Sequence, residues 1–308
     1  MKVGFLVNQI DNRGTGNATY DYAHYNEELL GNESYIFTFL GYGKNEKIAV
    51  DRFLTRFKWG INDVSHIPNL KLDVLYHVKS GENDGYIAPS GTRYAVHAVF
   101  NGTHKHGDRY AAISAWLGER DGIPYVNHMV NLPSVTSDLR GFFGIPPDAT
   151  VFGRHGGFDT FDIPFAWSAI SKALDLRPDL YFVFLNTKIG LEHPRVFYMD
   201  QTAFAEQKKM FINTCDAMIH ARERGETFGI AVGEFDISGK PILTYQSSGE
   251  RAHYMLSSPM MLYKDEETLI GNLLEFQGPV PEIAEWKSGY KECTPENIMK
   301  QFKEYFLD

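Results

Sequence analysis

Two stretches of strand-helix alternation, separated by a short Gly/Pro-rich segment, constrain this chain more than any other feature. Met1–Asn8 contains KVGFLV, a β-rich apolar run, followed by the Gly-containing loop Asp11–Asn17 and a helical stretch from Ala18 to Leu30. Further apolar runs at Tyr35–Leu40, Val74–Val78, Tyr94–Phe100, Tyr110–Ser114 and Tyr125–Val130 are spaced by polar and Gly-rich loops. The sequence GFFGIPPDA over 141–149 reads as a linker and puts a domain boundary near 148. Beyond it come a strand at Thr150–Gly153, a helix at Phe165–Leu176 that stops before Pro178, and a strand at Tyr181–Leu185. A helix from Thr202 to Asn213 leads to the strand Ala217–His220, then a loop and a helix to Ile237. Gly239-Lys240-Pro241 ends that helix ahead of the strand Ile242–Tyr245. Such alternation predicts an α/β protein of two parallel-sheet domains, 1–148 and 149–294, facing each other across a cleft, with ligands beyond the carboxyl ends of the strands. The amphipathic stretch Pro295–Phe306, within 295–308, is expected to pack back on the first domain.

Charge and cysteine content narrow the function classes. The 308 residues carry 30 basic and 39 acidic side chains, a net charge of −9, which disfavours nucleic acid as the main partner. Neither half is basic: residues 1–148 hold 14 Lys/Arg against 16 Asp/Glu, and the rest hold 16 against 23. Cys215 and Cys293 are too few for a disulfide framework, and no apolar run approaches the roughly 20 residues of a membrane span. A cytoplasmic protein without a membrane span is the expectation.

The most informative segment is Asp216–Tyr245, DAMIHARERGETFGIAVGEFDISGKPILTY, where Glu226 and Glu234 are separated by seven residues across a loop-to-helix junction. With a helix starting near Phe228, Glu226 sits in the loop at its positive end and Glu234 lies roughly 9 Å along its axis. First-turn N–H groups have no intrahelical partner, so the amides of Thr227, Phe228 and Gly229 are expected to receive a diphosphate. The two carboxylates would then accept hydrogen bonds from sugar hydroxyls on either side of it. Taken alone, the same spacing also fits a plain acidic loop followed by an exposed helical Glu.

With His220 at a strand end, the GETFG loop and the Gly-Lys-Pro turn, this segment resembles the retaining glycosyltransferases of family 4, the group 1 glycosyl transferases, which have the GT-B fold. The resemblance implies transfer of a hexose or pentose from a nucleoside-diphosphate sugar to a glycan or glycoconjugate hydroxyl, without a metal or other cofactor. It hands the donor hexose to Glu226 and the ribose to Glu234. It places the loop Arg13-Gly14-Thr15-Gly16-Asn17 near donor phosphate and acceptor, and His97, in Tyr94-Ala95-Val96-His97, near the transferred sugar. It gives Arg154, in Gly153-Arg154, the leaving diphosphate. The family's Lys five residues later is replaced by Asp159, and Lys188 is the substitute we expect. Losing that cation lowers leaving-group stabilisation, which keeps a non-catalytic sugar-nucleotide-binding protein in view.

Two other patterns point elsewhere. Thr103–Arg109, THKHGDR, spaces His104, His106 and Asp108 like metal ligands and resembles the His-x-His-x-Asp-His string of metallo-β-lactamase-type hydrolases, with Arg109 in place of the last His. This makes a metal-dependent hydrolase the competing enzyme class. Gly14-x-Gly16 could open a dinucleotide fingerprint, but Thr19 stands at the third Gly.

Overall fold

The structure, a computed structural model, describes residues 1–39, 45–257, 260–278 and 288–308. Leu40, the last residue of the expected strand Tyr35–Leu40, lies outside the described residues. The chain forms two compact units, Met1–Met129 with Cys293–Asp308, and Val130–Glu292.

The first unit is built on six parallel strands: β1 (Lys2–Val7), β2 (Glu33–Thr38), β3 (Ile61–Asp63), β4 (Val74–Lys79), β5 (Arg93–Ala98) and β6 (Arg109–Ala112), in the order β3-β2-β1-β4-β5-β6. Its helices are α1 (Gly14–Glu28), α2 (Lys47–Arg56), α3 (Ala115–Asp121) and, from the far end of the sequence, α10 (Pro295–Phe302). β1 reads as an unbroken apolar run, and β4 as one carrying His77 and Lys79, because parallel strands are covered on both faces; every residue from Val3 to Val7 and from Val74 to Lys79 is buried. α1 turns Ala18, Thr19, Tyr22, Ala23 and Asn26 inward at helical spacing. Phe302 stacks on Phe5, and Phe302 and Phe306 both meet the ring of Tyr76, so the end segment completes this core.

The second unit repeats the plan. β7 (Thr150–His155), β8 (Leu180–Leu185), β9 (Val196–Met199), β10 (Ala217–His220), β12 (Ile242–Tyr245) and β14 (Met260–Tyr263) form a parallel sheet in the order β14-β12-β10-β7-β8-β9. β11 (Gly225–Glu226) and β13 (Glu250–Arg251) make a separate two-stranded pair. The helices are α4 (Arg140–Phe143), α5 (Ala166–Leu176), α6 (Ala205–Thr214), α7 (Ile230–Ile237), α8 (Ala252–Leu256) and α9 (Glu266–Glu275). Residues 130–148, read from sequence as the end of the first domain, belong here. Arg140 Nη2 reaches Asp216 Oδ2 at 2.8 Å, and Leu139 N donates to Thr214 Oγ1 at 2.8 Å. The apolar run Tyr125–Val130 makes one bridge, between Tyr125 and Ala112, and Tyr125 is exposed. No helix among the described residues is long and apolar enough to cross a membrane.

In both sheets the first three strands run outward in one direction and the next three in the other. This is the Rossmann order, with its reversal between the first and fourth strands.

Candidate functional site

In the second unit that reversal falls between β7 and β10. Helices leaving adjacent strands to opposite faces open a crevice at their carboxyl ends. The residues there are the ones the sequence singled out. Arg154 and His155 end β7, His220 ends β10, Glu226 follows in β11, and Glu234 lies on α7. Gly153 lets the neighbouring chain come close: a Cβ there would meet Cys215 Sγ at 2.1 Å.

Glu226 keeps 17% of its side chain exposed. Its Oε1 lies 3.2 Å from His220 Nε2, and its Oε2 accepts from Arg222 Nη1 at 2.8 Å. Burial pushes this carboxyl upward, but the His220 hydrogen bond and the charge of Arg222 outweigh it and bring it down to about 2. Glu234 is 2% exposed; its Oε1 accepts from Lys208 Nζ, and its Oε2 is 2.9 Å from His155 Nε2. Here too burial acts upward, and the Lys208 charge with the His155 hydrogen bond outweighs it, again giving about 2. Both carboxylates are therefore anions at neutral pH. Glu226 stays partly exposed, so lone pairs remain there for hydroxyl donors, whereas Glu234 Oε2 is sealed from solvent.

Arg154 is 4% exposed and its guanidinium is committed to neighbouring loops. Nη1 donates to Thr187 Oγ1 at 2.6 Å and to the Asn186 carbonyl at 3.3 Å; Nη2 donates to Thr160 Oγ1 at 2.6 Å and the Gly157 carbonyl at 2.8 Å. Burial lowers it to about 10. Lys188, next to Thr187, is exposed, and its backbone N–H donates to the Phe158 carbonyl at 3.1 Å.

The turn before α7 is packed where an open one was expected. α7 starts at Ile230, with Gly229 as its cap at φ +86°; Thr227 is 6% exposed and Phe228 1%. The Phe228 ring packs edge-on against Tyr290, whose hydroxyl donates to the Phe228 carbonyl at 2.5 Å. The reason is local: an aromatic residue in the turn must be buried, and Tyr290 clamps it.

In the first unit, Gly14, Thr15 and Gly16 form the first turn of α1 itself, not the loop before it. Gly16 is the one that needs to be glycine, since a Cβ there would meet the Asp11 carbonyl at 2.1 Å. The expected role of His97 beside the transferred sugar is corrected. The ring is fully buried, Nδ1 lies 2.5 Å from the Tyr76 hydroxyl, and Nε2 lies 2.8 and 3.1 Å from the carbonyls of Val126 and Ala112. It is a satisfied core histidine, pushed down to about 4 by burial. His104, His106 and Asp108 do not converge: His104 pairs with Glu82, His106 Nδ1 faces the His104 carbonyl, and Asp108 accepts from the Tyr94 N–H. Among the described residues no group of three His, Cys, Asp or Glu side chains is arranged to hold a metal.

Sequence reasoning missed Lys208. It is read as one of several polar residues of α6, and its partner Glu234 stands 26 positions later, so no local pattern announces the pair. His155 is placed only by following Gly153-Arg154 along β7.

No protein-family model and no curated protein matches the chain. Solved structures do. The HepE protein of Anabaena in complex with UDP and glucose has a TM-score of 0.64 at 14% identity, covering 99% of this chain and 98% of that one. A glycosyltransferase of Rickettsia africae has a TM-score of 0.63 at 11% identity, with 99% and 93% covered. The N-terminal domain of Candida albicans trehalose-6-phosphate phosphatase has a TM-score of 0.62 at 9% identity, with 99% and 96% covered. The chain has the α/β GT-B fold, with two Rossmann-like units; at these identities the likeness is one of fold.

Proposed function

We propose that this protein is a cytoplasmic retaining glycosyltransferase that moves a sugar from a nucleoside-diphosphate sugar to a hydroxyl of a glycan or glycoconjugate, without a metal. The observation that carries this reading is the pair of ionised carboxylates, Glu226 and Glu234, at the strand-order reversal of the second sheet. HepE, of the same fold, binds UDP and glucose, and we take a UDP-sugar as the first donor to test. In this reading Glu226 accepts from a hydroxyl of the donor sugar and Glu234 from the ribose. Arg154 and Lys188 serve the diphosphate, and Gly14, Thr15 and Gly16 serve donor phosphate and acceptor. The incoming hydroxyl attacks from the face the diphosphate leaves, and a phosphate oxygen helps take its proton. Holding donor and acceptor in register supplies much of the rate.

A second reading, a sugar-nucleotide binder without turnover, is favoured by one observation: four Arg154 N–H contacts go to the protein's own loops, and Asp159 stands in the family's lysine position. A thermal-shift screen of nucleoside diphosphates and their sugars, followed by an assay of nucleoside diphosphate release, decides between them. Donor-induced stabilisation with release on adding acceptor, unchanged by EDTA, supports transfer. Stabilisation without release selects the binder, and no shift with any nucleotide defeats both.

A further inference from the structure

Behind Glu226 runs a line of polar side chains that the donor contacts do not explain. His220 Nε2 lies 3.2 Å from Glu226 Oε1, His220 Nδ1 lies 2.8 Å from Thr244 Oγ1, and Thr244 Oγ1 lies 3.3 Å from His253 Nε2. Thr244 and His253 are fully buried and His220 is 4% exposed. The line ends at His253 Nδ1, a buried ring nitrogen with no hydrogen-bond partner among the described residues. The histidine rings lie 5.0 Å apart, both on the Thr244 hydroxyl.

Proton counting leaves two arrangements. A threonine hydroxyl has one proton to give, and a neutral imidazole carries one N–H. If Thr244 gives its proton to His253, then His253 holds its own proton on the unpartnered Nδ1, and His220 must donate at both nitrogens as an imidazolium. If Thr244 gives its proton to His220 Nδ1, His220 is neutral with its N–H on Nε2 aimed at Glu226, and His253 donates from Nε2. In the second arrangement the atom left alone is a bare acceptor; in the first it is a buried N–H, the rarer and costlier orphan.

We infer that Glu226 terminates a one-way hydrogen-bond chain, His253 Nε2–H to Thr244 Oγ to His220 Nδ1, then His220 Nε2–H to the carboxylate. This makes His220, Thr244 and His253 positioning residues that aim Glu226 while leaving it a full anion. Arg222 on the adjoining loop, Arg154 at the end of β7, Tyr254 beside His253 and Tyr263 on the His220 carbonyl are the other polar groups facing this line. None of them donates to a ring nitrogen of the chain in the described structure. The inference deepens the proposed function and, for its binding arm only, rests on it.

The test is long-range proton-nitrogen correlation NMR of the uniformly nitrogen-15-labelled full chain at pH 7.5, with His220→Asn and His253→Leu spectra for assignment. His220 and His253 should both be neutral Nε2–H tautomers. Thr244→Val should release both tautomers into mixtures, and Thr244→Ser should restore them. In binding, Thr244→Val should weaken UDP-glucose about tenfold and leave UDP within about twofold, because only the sugar meets Glu226. An imidazolium at His220, an Nδ1–H at His253, or tautomers unchanged in Thr244→Val overturns the chain. Wild-type protein that binds neither UDP nor UDP-glucose but shows the expected tautomers defeats the donor assignment and leaves the chain standing.

Discussion

His155 Nε2 lies 2.9 Å from Glu234 Oε2, joining the last residue of β7 to a carboxylate buried on α7. With Lys208 on the other oxygen, this carboxylate has a structural duty besides any ligand contact. Glu234→Ala should therefore cost about 3–5 kcal/mol, as for a buried pair deprived of one partner, and mainly raise donor KM. Glu226→Ala, by removing the contact to the donor sugar, should abolish turnover, and it also loses the stability that the pairing with Arg222 and His220 contributes. Denaturant unfolding and steady-state kinetics of both variants check this; wild-type kinetics in both would remove them from the site.

Arg154→Lys keeps the charge and loses the fork that grips Thr187 and Thr160 at once. The expected cost is about 2–4 kcal/mol from several lost charge-assisted hydrogen bonds. Limited proteolysis should show new cleavage in the 156–160 and 186–188 loops. An unchanged melting temperature and digestion pattern would mean that the guanidinium does not organise those loops.

Gly233→Ala tests the seating of α7. The added Cβ would stand 2.6 Å from Tyr290 Cδ1 and 2.8 Å from Val130 Cγ2, so the helix or the Tyr290 clamp must move. Overpacking of this kind costs about 1–3 kcal/mol, and donor binding should weaken with it because Glu234 rides on the same helix. Tyr290→Phe, which loses the hydroxyl bond to Phe228, should cost about 1 kcal/mol. Calorimetry and nucleotide titration of the two variants give the comparison.

Acid should destabilise the protein in two stages. His77, His97 and His253 are held neutral by burial, at about 3, 4 and 3, so the unfolded chain takes up their protons first. Their contribution is whole above 6.5 and declines as pH falls toward the folded values. The slope is about 1.4 kcal/mol per pH unit for each. Glu226 and Glu234, depressed to about 2, contribute fully above 4.5, and that contribution is lost as pH falls from there through the folded value. Urea midpoints measured from pH 8 to 4 should fall already between 6.5 and 5; a flat line over that interval refutes the buried neutral histidines.

Much of the fold is legible in the sequence because parallel strands are buried on both faces. KVGFLV and Ala217–His220 announce themselves as apolar runs. The edge strands β3 and β9, three and four residues long and only partly buried, pass unnoticed. Tyr125–Val130 has strand-like residues but its neighbours give it one bridge, so its form is set by tertiary context. At the candidate site, the spacing of Glu226 and Glu234 survives in the structure as a local feature. What holds each of them, Lys208 for one and the His220–Thr244–His253 line for the other, comes from residues brought in by strand order, which no short window contains.

The segment Cys293–Asp308 lies in the first unit, where Phe302 and Phe306 cover Tyr76. During translation, then, the stretch Val130–Glu292 leaves the ribosome unbroken and can fold while the earlier-made half still waits for its last helix. The half synthesised first is thus the half finished last, and a stalled ribosome short of Cys293 would leave it with an uncovered aromatic face for chaperones to shield.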